Sequence, residues 1–296
     1  MLRYKTLRWF TCCALISFFF WQCYEHRVVE LNIQTPHGDA FSIRMPWKDK
    51  QQLTHLFYKM MIREDGGYTL FGCKPMHMNG YIKPFSWARD WNIFFLSLCP
   101  SNLRTYWSWQ TWQKYAYLLT NSQFLLWTEE NPTWPEPHDA VSILLVHRGK
   151  FNEAIRTHRQ DFVAVLHRNE VDSEILLQES RSKPLLKTVL QGHNGLIGTL
   201  FGYGRSNAWL FEKRKNGESV SLSPVWDQEL YKFMWDHRNS EDLSLTLDYP
   251  SFYCDPNSSE TQQLKDEFLK VRAKILEYYK GKEFLEATLG LMLDRV

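Results

Sequence analysis

Five of the chain's fourteen glycines crowd into residues 190–211, read Leu-Gln-Gly-His-Asn-Gly-Leu-Ile-Gly-Thr-Leu-Phe-Gly-Tyr-Gly-Arg-Ser-Asn-Ala-Trp-Leu-Phe. Glycine weakens helices and strands, so a segment this rich in it either packs backbone against backbone or turns where other residues would be strained. At about 100° per residue, Gly192, Gly195, Gly198 and Gly202 share one side of a helix, and Leu196, Ile197, Leu200 and Phe201 cover much of the other. The spacing predicts a helix buried nearly all round, a left-handed end at Gly204, and a short second helix capped by Ser206. A phosphate cradle is the competing reading. Gly202-Tyr-Gly-Arg-Ser-Asn opens like a dinucleotide fingerprint, but it follows a helical pattern rather than a strand and has Asn207 where the third glycine belongs. Packing is the simpler account, and it leaves Arg205 and Asn207 as residues that this corner would point into a pocket.

The N-terminus constrains location. Arg3, Lys5 and Arg8 precede an uncharged run over residues 9–24, and Glu25, His26 and Arg27 mark the return to water. That is the charged and apolar pattern of a secretory signal. The run is shorter than the roughly 20 residues of a full membrane span, and no small-x-small cleavage site follows it. Cys23 stands where a lipidated cysteine would, although Phe20, Trp21 and Gln22 are not the small residues that usually precede one. An uncleaved signal anchor fits best, with lipidation at Cys23 second; a buried first helix of a cytosolic domain fits poorly because the run has no polar face. The positive-inside rule then places residues 25–296 outside the cytoplasm, on the periplasmic side of an inner membrane, or at an outer membrane if Cys23 is lipidated. The expected organisation is an anchor over residues 1–24 and one extracytoplasmic domain over 25–296. In that compartment Cys73, Cys99 and Cys254 allow at most one bridge within the chain, which excludes a disulfide scaffold.

Thirty-five Lys and Arg against thirty-three Asp and Glu leave a net charge of +2, too balanced for a dedicated nucleic-acid binder. Aromatic residues reach 16%, thirteen of them tryptophan, and large cores and interfaces both use such residues.

Along the chain, Val29, Leu31 and Ile33 alternate, as do Phe41, Ile43 and Met45, predicting a hairpin. Leu53, Leu56, Phe57, Met60 and Met61 predict an amphipathic helix ended by Gly66 and Gly67. Residues 67–76 read as a short strand broken by Gly72 and Pro75, and residues 80–84 as a second. Helices are expected over 87–98 and 102–119, the latter with aromatics on every side, which means deep burial or a stripe facing a partner. Strands over 124–128 and 141–146 flank a connector stiffened by three prolines. It carries Glu129, Glu130, Trp134, His138 and Asp139 and reads most simply as a solvated loop. Phe151, Ile155, His158, Phe162 and Leu166 fall at helical spacing, with His158 on the apolar face; Asn169 is placed to cap a further helix reaching residue 180. Pro184 suits the first turn of the helix that runs into the glycines. A short helix over 226–235, a capping box at Ser259 and Gln262, and two amphipathic helices closed by Gly281 and residue 292 complete the chain. The expected class is α+β, helix-dominated, with a small antiparallel sheet in the N-terminal half and a C-terminal helical pair.

Catalytic signatures are sparse. Cys73 and His77 sit close enough in sequence to pair as thiolate and base or as two metal ligands, but there is no HExxH, no paired CxxC and no CxxC…HxxxH spacing. P-loop and nucleophile-elbow sequences are missing as well. No cofactor or metal is expected.

Three stretches carry a resemblance: Gly67-Tyr-Thr-Leu-Phe-Gly-Cys-Lys-Pro-Met, Gly202-Tyr-Gly-Arg-Ser-Asn-Ala-Trp-Leu-Phe and Asp255-Pro-Asn-Ser-Ser-Glu-Thr-Gln-Gln-Leu-Lys. Together they are similar to an uncharacterised family of envelope-targeted proteins from chlamydia-type obligate intracellular bacteria. The resemblance implies a membrane or envelope context and brings no activity, cofactor or catalytic residue with it. The functional expectation is therefore a membrane-anchored extracytoplasmic protein that binds a protein or envelope component. An envelope hydrolase or transferase, built on Cys73 and His77 or on the 129–139 loop, is the alternative.

Overall fold

The computed structural model describes residues 27–84, 91–130, 140–237 and 240–294; the anchor with Cys23, and Trp134, His138 and Asp139 of the connector, lie outside the described residues. Among the described residues, no helix is long and apolar enough to cross a membrane. The fold is α+β with helices dominant and small antiparallel sheets.

The hairpin forms as its alternation predicts. β1 (Val28–Gln34) pairs with β2 (Ala40–Pro46), with Leu31 opposite Ile43, and its inner face buries Leu31, Ile33, Ile43 and Met45. α1 (Trp47–Ile62) buries its expected stripe of Leu53, Leu56, Phe57, Met60 and Met61. The segment after it differs from expectation. Gly66–Leu70 is a buried helical turn, α2, and no strand begins before β3 (Met76–Ile82). Gly66 explains this: a Cβ there would lie 2.6 Å from the Met60 carbonyl oxygen, so glycine lets α2 close directly onto α1. Residues 85–90 are outside the described set, and the helix expected over 87–98 is seen as α3 (Trp91–Ser97). α4 (Pro100–Tyr115) takes Pro100 into its first turn, where a missing N–H costs nothing. A 3-10 turn, Ala116–Leu119, then leads to β4 (Phe124–Glu130).

β5 (Ala140–His147) is the centre of a three-stranded antiparallel sheet in the order β3-β5-β4. It is buried from Ala140 to Val146, the continuous apolar run of a strand covered on both faces. Successive side chains point to opposite faces. Ile143 and Leu145 join one core with Phe57, Trp109, Trp112 and Phe268, while Leu144 and Val146 join another with Phe151, Phe162, Leu176 and Leu196. The sheet is thus a septum between two helical layers.

The second layer begins with α5 (Arg148–Thr157) and α6 (Arg159–Leu166), where helical spacing predicted one helix. The break is at His158, whose φ of −111° and ψ of 25° leave the helical region, and the histidine is half-buried at the junction. α7 (Ser173–Glu179) is capped by Asp172, not Asn169: the Asp172 carboxylate accepts from Glu174 N at 2.8 Å and Ile175 N at 3.2 Å. Pro184 precedes a single π turn, Leu185–Val189, which stops before the glycines. α8 (Asn194–Leu200) and α9 (Arg205–Lys215) follow, the latter ending in Lys213, Arg214 and Lys215, where cations complement the helix dipole. β6 (Ser223–Pro224) pairs with β7 (Tyr253–Cys254) around α10 (Gln228–His237) and α11 (Leu243–Thr246). The chain closes with α12 (Ser259–Tyr279), capped by Ser258 rather than Ser259, and α13 (Phe284–Leu293). Tyr279 and Thr288 hydroxyls, 2.9 Å apart, join this helical pair.

Candidate functional site

The glycine corner is two short helices joined by a tight turn, as expected, but the first starts only at Asn194 and does not run in from Pro184. Gly192 precedes α8 and Gly202 follows it. Gly202 N donates to Thr199 O at 3.1 Å and Tyr203 N to Gly198 O at 3.0 Å, the paired bonds of a Schellman end with Gly202 at φ +74°. Gly204, at φ +83° and ψ 145°, is the N-cap of α9, and Ser206 caps nothing. The exposed amides of α9 are met from a distance: Glu260 of α12 accepts from Ser206 N and Asn207 N, each at 3.2 Å. Gly198 lets Ala208 of α9 approach, since a Cβ at Gly198 would be 2.8 Å from that methyl. Gly195 is similarly enclosed by His193 and Trp209.

Asn207 lines a cleft of about 290 Å³ between this corner and β7, with Ile197, Phe201, Tyr203 and Phe252. Its amide is already committed. Nδ2 donates to Tyr203 O and Thr261 Oγ1, each at 3.1 Å, and Oδ1 accepts from Asp255 N at 3.1 Å. Asn207 thereby ties α9 to β7 and α12. Arg205 lies outside the cleft and makes a two-pronged pair with Asp161 of α6, Nε to Oδ2 at 2.5 Å and Nη2 to Oδ1 at 2.8 Å.

Cys73 and His77 lie close in the chain but face different partners. The Cys73 thiol donates to Tyr68 O at 3.3 Å, and burial pushes it up to about 12, so it is a thiol rather than a thiolate at neutral pH. His77 places Nδ1 2.9 Å from Asp65 Oδ1, while its buried Nε2 has no hydrogen-bond partner among the described residues. The same carboxylate oxygen accepts from Lys74 Nζ at 2.6 Å. Lys74 and His77 are 1% and 3% exposed, so this is a buried Asp-Lys-His cluster. Burial raises the Asp65 carboxyl, but the Lys74 ammonium and the His77 contact outweigh it and hold the group down to about 2. Asp65 adopts φ +58°, uncommon for a residue with a side chain. Gly202 packs directly onto the Lys74 stem, so the glycine corner roofs the cluster. No nucleophile–base pair is assembled here. Among the described residues, no three His, Cys, Asp or Glu side chains are grouped to hold a metal ion, and Cys73, Cys99 and Cys254 are free.

Of the connector residues, Glu129 is a buried member of β4 rather than part of a solvated loop. It accepts from Leu185 N at 2.6 Å and Leu186 N at 3.2 Å and so caps the π turn; burial keeps its carboxyl above the usual range despite those donors. Glu130 is exposed beside Lys83, 3.2 Å away.

A larger feature comes from residues that were expected only as core or partner-facing aromatics. A groove of about 470 Å³ runs between α4, β4 and the end of α7. Trp109, Trp112 and Gln113 form its α4 wall, residues 125–128 its floor, and Leu177, Ser180 and Arg181 its α7 wall. Trp109 and Trp112 are 3% and 1% exposed, whereas Trp107 on the opposite side of α4 is 53% exposed, so the helix divides its aromatics between core and solvent. The indole N–H groups of Trp109, Trp112 and Trp127 are buried and have no acceptor among the described residues. Arg181 is exposed at the rim and makes no ion pair among the described residues. Tryptophan spacing on α4 was the available sequence signal for the groove; nothing in the sequence marks Arg181 as its neighbour. Comparison of the chain with protein families, curated proteins and solved structures finds no match.

Proposed function

We propose that the chain is a membrane-anchored, extracytoplasmic binding protein that takes a protein or envelope component in the groove between α4, β4 and α7. The observation that carries this reading is the groove itself: a concave surface in which half-buried Trp127, Leu125 and Leu126 meet a few polar groups at the rim, the composition that recognition sites favour. The location rests on Arg3, Lys5 and Arg8 before the uncharged run over residues 9–24. The half-buried Cys73 thiol, directed at a carbonyl and not at His77, supports binding over covalent chemistry at that turn. A photo-reactive amino acid placed at Gln113, on the groove wall, tests the reading in native membranes. A specific adduct at Gln113 that is missing from the same label at Lys213, on the far helix α9, is expected. Identical products from both positions, or turnover of an envelope substrate that needs Cys73 or His77, would overturn it.

A further inference from the structure

The groove lies at one edge of the three-stranded sheet, where the two helical layers on either face part company. β4 is the terminal strand of the order β3-β5-β4. Its side chains alternate between the layers: Leu126 packs with the core that contains Trp109 and Trp112, and Leu125 and Trp127 pack with the core that contains Leu177. The opposite edge of the sheet is met at its end, where Asn102 of α4 accepts from Ile82 N at 2.7 Å and donates to Ile82 O at 2.8 Å, as a neighbouring strand would. Among the described residues, nothing besides β5 pairs with the backbone of residues 125–128. An uncovered edge with unpaired amides and carbonyls is a template for another strand.

Resting on the binding function proposed above, we infer that the groove's occupant is an extended, acidic peptide segment that adds to β4 as a fourth strand. Four strand residues span about 13 Å, room for a peptide of similar length. In that position alternate side chains of the peptide fall towards Gln113 and Ala116 on one side and towards Ser180 and Arg181 on the other, while its backbone completes the ladder. The acidic character follows from charge: among the described residues of the lining, Arg181 is the sole charged one and no carboxylate shares the groove with it. A carboxylate on the peptide, side-chain or terminal, supplies the missing partner.

The test is selection of short randomised peptides against the full chain in detergent, run in parallel on the wild type and on Arg181→Glu. Arg181 is exposed, so its replacement leaves the fold in place. The wild type should enrich peptides with alternating apolar residues and an Asp or Glu at one position, and Arg181→Glu should enrich Lys or Arg there instead. N-methylation of alternate amides in an enriched peptide should weaken binding about tenfold or more through loss of ladder hydrogen bonds. The same charge preference in both selections, or binding indifferent to N-methylation, overturns the inference. So does a saccharide recovered as the Gln113 adduct. The last two results would leave the groove a binding site and remove only the peptide strand.

Discussion

Gly204 and Gly192 separate two reasons for keeping a glycine. Both have positive φ, but a Cβ at Gly204 would sit 2.7 Å from the Glu260 carboxyl carbon, whereas at Gly192 it would meet nothing within 4 Å. Gly192→Ala should cost about 1 kcal/mol of backbone strain. Gly204→Ala adds the loss of the Glu260 cap and should cost roughly 2–4 kcal/mol, readable by urea unfolding. Lys74 is a second such position. Lys74→Met strands Asp65 and His77 in the interior and should destabilise the fold by about 3–5 kcal/mol. The pH dependence follows from the Asp65 carboxyl. Its folded value, about 2, lies below its unfolded value, so its stabilisation is complete above the unfolded pKa of about 4 and is lost as pH falls towards 2. In Lys74→Met the carboxyl loses the charge that held it down, so the gap between its folded and unfolded values narrows and the acid-side loss should be smaller in a melting-temperature profile.

At the scale of elements, what was legible was periodicity. α1 buries every residue that its spacing marks, the hairpin buries Leu31, Ile33, Ile43 and Met45 with Val29 and Phe41 half-buried, and α12 buries Phe268, Val271 and Ile275 with Leu264 and Tyr278 half-buried, because a solvent-facing side and a core-facing side leave alternating or helical patterns. Helix ends and short turns were not legible, because their partners are remote in sequence. Nothing near Gly204 announces that Glu260 will cap α9, and nothing near Leu185 announces Glu129. Residues 67–70 read as the start of a strand and fold within a helical turn because Gly66 closes onto the Met60 carbonyl. His158 illustrates the converse: spacing continues through it while the backbone breaks. The Glu129 cap can be tested directly. Glu129→Ala leaves two buried N–H donors without an acceptor and should cost about 1–3 kcal/mol, while Glu129→Gln keeps one acceptor and should cost less, in the same denaturation assay.

At the scale of the whole molecule, the sheet separates two cores, and among the described residues its β4 edge between them is unpaired. The sequence marked Cys73, His77, Arg205 and Asn207 as pocket candidates. Three of them are engaged in buried or paired contacts, and Asn207 lines the smaller cleft with its amide fully bonded. The groove instead draws on α4, β4 and α7, elements separated by up to about seventy residues, so its walls converge only in the folded chain. The most direct test of the binding account is the yield of the Gln113 photo-adduct in two variants, each checked for cooperative melting. Cys73→Ala should leave the yield unchanged, and Trp127→Phe, which trims the groove wall while keeping an aromatic ring, should lower it. An adduct lost in Cys73→Ala and retained in Trp127→Phe would contradict the account and return attention to chemistry at the Asp65, Lys74 and His77 cluster.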